Sequence, residues 1–285
     1  MTIIDKYQQK QVFSFEMFPP KGKHNMEKLH ETIDLFSTLK PDFISVTMGA
    51  GGVGNSKGTV DITDDIQQRY QIDSVVHLPS IHLSKPEVSD ILADLKRRNI
   101  SNILALRGDE HPGTSRSQDF NYASDLIEFI KESGDFNILA ACYPEGHTQS
   151  ASIVEDVKHL KRKADAGVDA FVTQLFLDNE YFYRFRERAD IVGIDQPISA
   201  GIMPVTSKKQ IERMIQLTGA NLPKKFVSII DRFGDNPKAL LDAGIAYAVD
   251  QIIDLLAQDV NGIHLYTMNN SYIAKNIYRA IKNIV

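Results

Sequence analysis

Two carboxylates stand where short apolar runs stop. Residues 103–106 are apolar without alternation and end at Arg107-Gly108-Asp109. Glu16 lies among aromatics, between Phe15 and Phe18, just before Pro19-Pro20. An unalternating apolar run bounded by a turn residue reads as a strand buried on both faces. A carboxylate amid aromatics is costly to bury ionised, so Glu16 is expected to have a raised pKa; Asp109, beside Arg107 and Gly108, is expected to stay charged. One protonated and one ionised carboxyl near neutral pH are the means of general acid–base chemistry. Other strand ends add Thr47, His77, Tyr143, Gln174 and Tyr266. Gln174 offers an amide that can both donate and accept, suited to the edge of a heterocycle. None of these positions is a lysine, which weighs against Schiff-base chemistry. Glu16, His77, Asp109 and His147 can hold a metal in principle, yet no compact ligand spacing such as His-Glu-x-x-His occurs, so metal-dependent hydrolysis ranks second.

Strands at 12–18, 42–47, 74–78, 103–106, 136–142, 170–176, 197–202 and 262–267 must carry these residues. Between them, helical spacing recurs at 26–39, 61–70, 86–98, 122–132, 152–166, 179–190, 207–217, 237–258 and 271–284, with 223–235 ambiguous. Strands alternating with helices predict a parallel sheet. Eight such units in 285 residues predict an α/β fold of the (β/α)8 TIM-barrel type, one catalytic domain over 1–285, with an open doubly wound sheet as the competing topology. In either, ligands bind where the strands end. The run Met48-Gly-Ala-Gly-Gly52 reads either as a loop over the site or as a plain connection.

Bulk properties narrow the partners. A formal net charge of −5 gives no basic field for nucleic acid or an anionic membrane. No apolar run approaches the ~20 residues of a membrane span. The start, Met1-Thr-Ile-Ile-Asp-Lys6, lacks a secretory pattern, and the single cysteine, Cys142, sits in an apolar run as a small buried hydrophobe. The expectation is a cytoplasmic protein without nucleic-acid or membrane partners.

Several stretches together resemble one family. Phe13-Ser-Phe-Glu-Met-Phe-Pro-Pro20, Phe43-Ile-Ser-Val-Thr47, Ala105-Leu-Arg-Gly-Asp109, Tyr143-Pro-Glu-Gly-His147 and Leu160-Lys-Arg-Lys-Ala-Asp-Ala-Gly167 are similar to the methylenetetrahydrofolate reductases. Thr173-Gln-Leu-Phe176, Gly201-Ile-Met-Pro204 and His264-Leu-Tyr-Thr-Met-Asn269 continue the likeness, which follows the short bacterial form, a catalytic barrel alone. The resemblance implies FAD, with NADH (or NADPH) as donor and a folate as acceptor by a ping-pong course. It implies a homo-oligomer that supplies methyl groups for methionine synthesis. By it, Glu16 is the general acid, and Asp109 tunes the flavin and binds the pterin. Thr47, Ala50, His77, Leu106, Arg107, Gly108, Asp109, Ala123, Tyr143 and His147 are expected to hold FAD. Asp156, His159, Arg162 and Lys163 are expected at its ribose, phosphate or adenine end. Gln174, Tyr266 and Asn270 are expected on the substrate side. Three positions depart from the family pattern: Met48 replaces a tyrosine, His159 an asparagine and Asn270 an arginine. The folate-stacking aromatic has no clean counterpart, Ile230 or Phe233 standing nearest. The alternatives are a binding barrel without catalysis, or the metal-dependent hydrolase.

Overall fold

The computed structural model describes residues 2–20, 26–48, 56–110 and 115–285. Eight strands close into one parallel barrel in chain order: β1 (Val12–Met17), β2 (Phe43–Val46), β3 (Asp73–Pro79), β4 (Asn102–Leu106), β5 (Asn137–Cys142), β6 (Ala170–Thr173), β7 (Ile198–Ile202) and β8 (Gly262–Leu265). β8 pairs with β1, so the sheet has no edge. The competing open sheet is thereby excluded.

Among the described residues, helices lie at α1 (Ile3–Tyr7), α2 (Met26–Thr38), α3 (Ser56–Tyr70), α4 (Lys85–Arg97), α5 (Ala123–Ser133) and α6 (Ile153–Asp165). They continue with α7 (Asn179–Ile191), α8 (Lys208–Thr218), α9 (Lys224–Phe233), α10 (Pro237–Ala257) and α11 (Ser271–Ile281). Local chemistry sets their limits. Ser84 and Glu87 form a reciprocal capping box at the start of α4, where Pro86 needs no amide hydrogen. Ser152 caps α6 by accepting from the Glu155 N–H.

Strand residues alternate between two environments. Phe13, Phe15, Met17, Ile44, Val46 and Leu78 point outward and pack with α2, α3 and α4 residues such as Leu29, Ile33, Ile66 and Leu92 in the main core. Val12, Phe43, Val75, Leu104, Leu139 and Val172 form a second cluster with Ile3 and Tyr7 of α1, so the first helix plugs the amino-terminal end of the barrel. The Tyr7 and Ser199 hydroxyls share a buried hydrogen bond of 2.7 Å there.

Beyond small shifts at element ends, such as α11 closing at Ile281 instead of 284 and β8 at Leu265 instead of 267, four departures from the sequence expectation stand out. α1 was not predicted; five residues are too few for a periodic signal, and Thr2 with Asp5 caps it. α3 begins at Ser56, earlier than the expected 61. The sixth strand ends at Thr173 instead of 176, because Leu175 and Leu177 leave the sheet to pack with Val205, Ile211, Met214 and Phe226. The ambiguous 223–235 stretch is helix α9, whose Phe226 is buried in that same small cluster.

Candidate active site

The carboxyl ends of the strands open on a cavity of about 590 Å³, within the size range of small-molecule sites. Glu16 from β1, His77 from β3, Leu106 at the end of β4 and Arg107, Gly108 and Asp109 beyond it line this cavity. Ala123 opens α5, Tyr143 and His147 follow β5, and Asp156, His159, Arg162 and Lys163 come from α6. Gln174 and Tyr266 complete the predicted residues that share it. Positions about 250 residues apart thus meet at one mouth because the barrel brings every strand end to the same face.

Glu16 and His77 face each other near the floor. Their side chains are 13% and 7% exposed, and Glu16 Oε2 lies 3.8 Å from His77 Nε2. That spacing suggests an ion pair, but burial argues otherwise, since it disfavours the charged form of both groups. Burial raises the Glu16 pKa to about 8 and lowers that of His77 to about 3. At neutral pH the carboxyl therefore keeps its proton and the imidazole is neutral, and the contact is between two uncharged groups. His77 Nε2 is buried and has no hydrogen-bond partner among the described residues.

Below them on β8, the buried His264 shares a 2.7 Å hydrogen bond with Ser14 through Nδ1 and a longer one, 3.4 Å, with Ser45 through Nε2. Burial, and then His77, lowers its pKa to about 3. His264 lines the cavity and escaped the sequence reading. The available signal was parity, because it stands two residues before Tyr266 and shares its face of the strand.

The α6 side of the cavity is charged, with Arg162 and Lys163 beside Glu155 and Asp156. Lys163 is half-buried, donates to the Ala141 carbonyl at 2.5 Å and lies 5.6 Å from the centre of the Tyr143 ring. Burial pulls its pKa down. His147 packs edge-on against Tyr143, with ring centres 4.6 Å apart. Its pKa is lowered by burial and then by Arg107. Asp156 fixes the intervening loop, accepting from the His147 N–H at 3.1 Å and the Ser150 hydroxyl at 2.8 Å. At the outer end the rings of Tyr122 and His159 lie 6.1 Å apart. Gly108 has φ +89°, a conformation costly for other residues, and a Cβ there would meet Pro79 Cβ at 2.9 Å.

The opposite wall is built from β6, β7 and β8. Tyr266 donates to the Thr173 carbonyl at 2.7 Å, and the Thr173 hydroxyl accepts from the Gly201 N–H at 2.8 Å. The Tyr266 ring crosses β7 at Gly201, where a Cβ would sit 2.6 Å from its Cε2. Burial, and then Glu16, raises the Tyr266 hydroxyl pKa well above its ordinary value. Gln174 accepts from the Leu175 N–H through Oε1 at 2.9 Å. Cys142, Tyr122, Leu175 and Met203 also line the cavity without having been singled out as ligand contacts.

Three expected residues are not among those lining it. Ala50 lies outside the described residues, as do Gly49, Gly51 and Gly52 of the glycine run. Thr47 follows β2, where its carbonyl accepts from the Thr59 hydroxyl. Asn270 caps α11, its Oδ1 accepting from the Tyr272 and Ile273 N–H groups. Among the described residues, no three histidine, cysteine or acidic side chains group as metal ligands, so the hydrolase reading has no ligand set there.

Comparison with known proteins identifies the family. The family described as methylenetetrahydrofolate reductase matches residues 2–282. The 5,10-methylenetetrahydrofolate reductase of Escherichia coli (strain K12) is 37% identical over 258 residues, spanning 90% of this chain and 86% of its own. Methylenetetrahydrofolate reductase 1 of Schizosaccharomyces pombe is 33% identical over 296 residues, covering 100% of this chain but 48% of its own length. Among solved structures, a Clostridium thermocellum protein described as binding two copies of 5-methyl-5,6,7,8-tetrahydrofolic acid superposes with TM-score 0.67 at 12% identity, covering 99% of both chains. At that identity the superposition supports the barrel fold.

Proposed function

The chain belongs to the methylenetetrahydrofolate reductase family and is an enzyme of methylenetetrahydrofolate reduction; on that premise we propose that it works through FAD, with reduced nicotinamide and folate using one site in turn. The cavity's chemistry fits that cofactor. Arg107, Arg162 and Lys163 supply cations for a diphosphate, and His77 Nε2, without a hydrogen-bond partner among the described residues, offers a polar contact at the inner end. Leu106, Gly108 and Ala123 leave space for a flat ring system along the β4 side. When bound, FAD supplies a two-electron relay between the nicotinamide donor, NADH in preference to NADPH, and the folate acceptor.

The protein's own groups then divide the work. Glu16 carries a proton at neutral pH and delivers it to the folate's bridging nitrogen, which opens the imidazolidine ring to an iminium able to accept hydride. Asp109 receives the donor edge of the pterin and places negative charge beside the redox centre. Gln174 and Tyr266 hold the substrate from the opposite wall. In this reading residues 1–285 form one catalytic domain, acting in the cytoplasm as a homo-oligomer and supplying methyl groups for methionine synthesis. The observation that carries the proposal is the uncharged Glu16–His77 pair at the floor of a cavity whose α6 side presents Arg162 and Lys163.

The experiment is an anaerobic visible spectrum of the purified protein. Flavin bands that bleach with NADH and return with methylenetetrahydrofolate are expected. Bands that bleach but do not return reject this acceptor, and a colourless protein that FAD cannot reconstitute rejects the cofactor.

A further inference from the structure

His264 lines the cavity and takes no part in the steps above. It is 1% exposed, and a buried imidazole needs partners to offset its loss of water. Those partners come from β1 and β2. Nδ1 meets the Ser14 hydroxyl at 2.7 Å, and Nε2 meets the Ser45 hydroxyl at a longer 3.4 Å. A neutral imidazole carries one N–H, so it donates to one serine and accepts from the other. The two contacts fix the rotation of the ring as well as its position. Phe43 of β2 adds a stacked contact, with ring centres 5.7 Å apart and planes inclined by 23°.

The anchors of His264 stand next to the acid. Ser14 is two residues before Glu16 on β1 and shares its face. Ser45 is the register partner of Glu16 on β2. On its other side, the His264 ring meets the Tyr266 ring edge-on, with centres 5.2 Å apart and planes at 85°. The register partner of His264 on β7 is Gly201, whose missing side chain leaves the space that the Tyr266 ring crosses. The imidazole thus supports the Tyr266 ring, while the Thr173 carbonyl holds its hydroxyl.

We infer that His264 is a positioning residue that registers the Tyr266 wall, against which the substrate lies, to the strand that carries Glu16. Proton transfer requires donor and acceptor within hydrogen-bond reach, so a shift of about 1 Å between wall and acid slows that step. Hydride transfer from nicotinamide to flavin uses no acid and is less exposed to such a shift. A ring that only filled space would show no such division. The role rests on the proposed function, with Glu16 as the acid and Tyr266 as a substrate contact.

The test begins away from the cavity wall. Ser14 is fully buried and is not part of that wall, so Ser14→Ala removes one anchor without touching a ligand. In single anaerobic turnovers of the FAD-loaded protein, flavin reoxidation by saturating methylenetetrahydrofolate is expected to slow by roughly 2- to 10-fold, the change that one buried hydrogen bond carries. Flavin reduction by NADH is expected to keep most of its rate. His264→Phe keeps an aromatic ring against Phe43 and Tyr266 but loses both serines, and is expected to slow the same step further. His264→Asn keeps a polar group toward Ser14 and is expected to fall between the two. Unchanged folate rates in Ser14→Ala and His264→Phe, or equal slowing of both half-reactions, overturn the inference, since the imidazole then serves packing alone. Nitrogen-15 NMR of the unmodified protein gives a reading that does not depend on a variant folding. His264, assigned through the β8 backbone, is expected to hold a single tautomer, and rapid averaging of its two ring nitrogens overturns the anchoring. An active Glu16→Gln enzyme would remove the acid role itself, a result separate from these.

Discussion

The two halves of the barrel interior are built on the same strands and do opposite things. At the amino-terminal end, Val12, Phe43, Val75, Leu104 and Leu139 make an apolar layer sealed by Ile3 and Tyr7. Two residues along the same strands, the inward positions become Ser14, Ser45 and His77, with Glu16 one step further. Because the strand repeat is two, each step keeps the face and changes the chemistry. The lower layer stabilises the barrel through packing. In the upper layer burial keeps Glu16 protonated and His77 neutral. The comparison implies that damage above should alter chemistry and spare folding, and that damage below should do the reverse.

The largest expected effect lies in the upper half. Glu16→Gln should slow folate reduction by ~10²–10⁴-fold, the usual contribution of a positioned acid, while flavin reduction by NADH proceeds. Single-turnover kinetics of the two half-reactions measure this. The same substitution should alter the pH dependence of stability in a defined direction. The folded-state pKa of Glu16, about 8, lies above the ordinary 4.5, so its contribution is full below 4.5 and is lost as pH rises through 8. His77 acts oppositely, contributing above 6.5 and losing that contribution as pH falls toward 3. Denaturation of Glu16→Gln across this range should lack the alkaline decline assigned to the carboxyl.

Next in size is the lower layer. Leu139 is 1% exposed and is not part of the cavity wall, so Leu139→Ala should cost about 2–5 kcal/mol in urea denaturation with kcat little changed. A large loss of kcat without loss of stability would break the division between the halves. Gly201→Ala tests the border between them. A Cβ there would lie 2.2 Å from the Thr173 carbonyl and 2.6 Å from the Tyr266 ring. Overpacking of this kind costs about 1–3 kcal/mol, and displacement of Tyr266 should raise the KM for folate more than it lowers kcat. The smallest effect is Tyr7→Phe, which leaves the buried Ser199 hydroxyl without its partner and should cost ~1 kcal/mol, with unchanged kinetics.

Much of the barrel could be read from the sequence, because continuous apolar runs and helical spacing are local signals. The strand-end residues Glu16, His77, Asp109, Gln174 and Tyr266 could be read for the same reason. Contacts made by closure could not. Ser14 meets His264 across 250 residues, and Gly201 makes room for Tyr266 from a different strand. The short α1 carries no periodic signature, and its role as a plug appears only when Ile3 and Tyr7 meet the inward faces of the strands. The expectation at Asn270 came from family position, whereas its side chain caps α11, a task that local sequence also permits.

The most direct test of the account is the pH profile of flavin reoxidation by methylenetetrahydrofolate in a single anaerobic turnover. The account predicts a rate that holds at neutral pH and falls on an alkaline limb near 8, the limb disappearing with most of the rate in Glu16→Gln. A profile flat through that region, with full rate retained in Glu16→Gln, would contradict it.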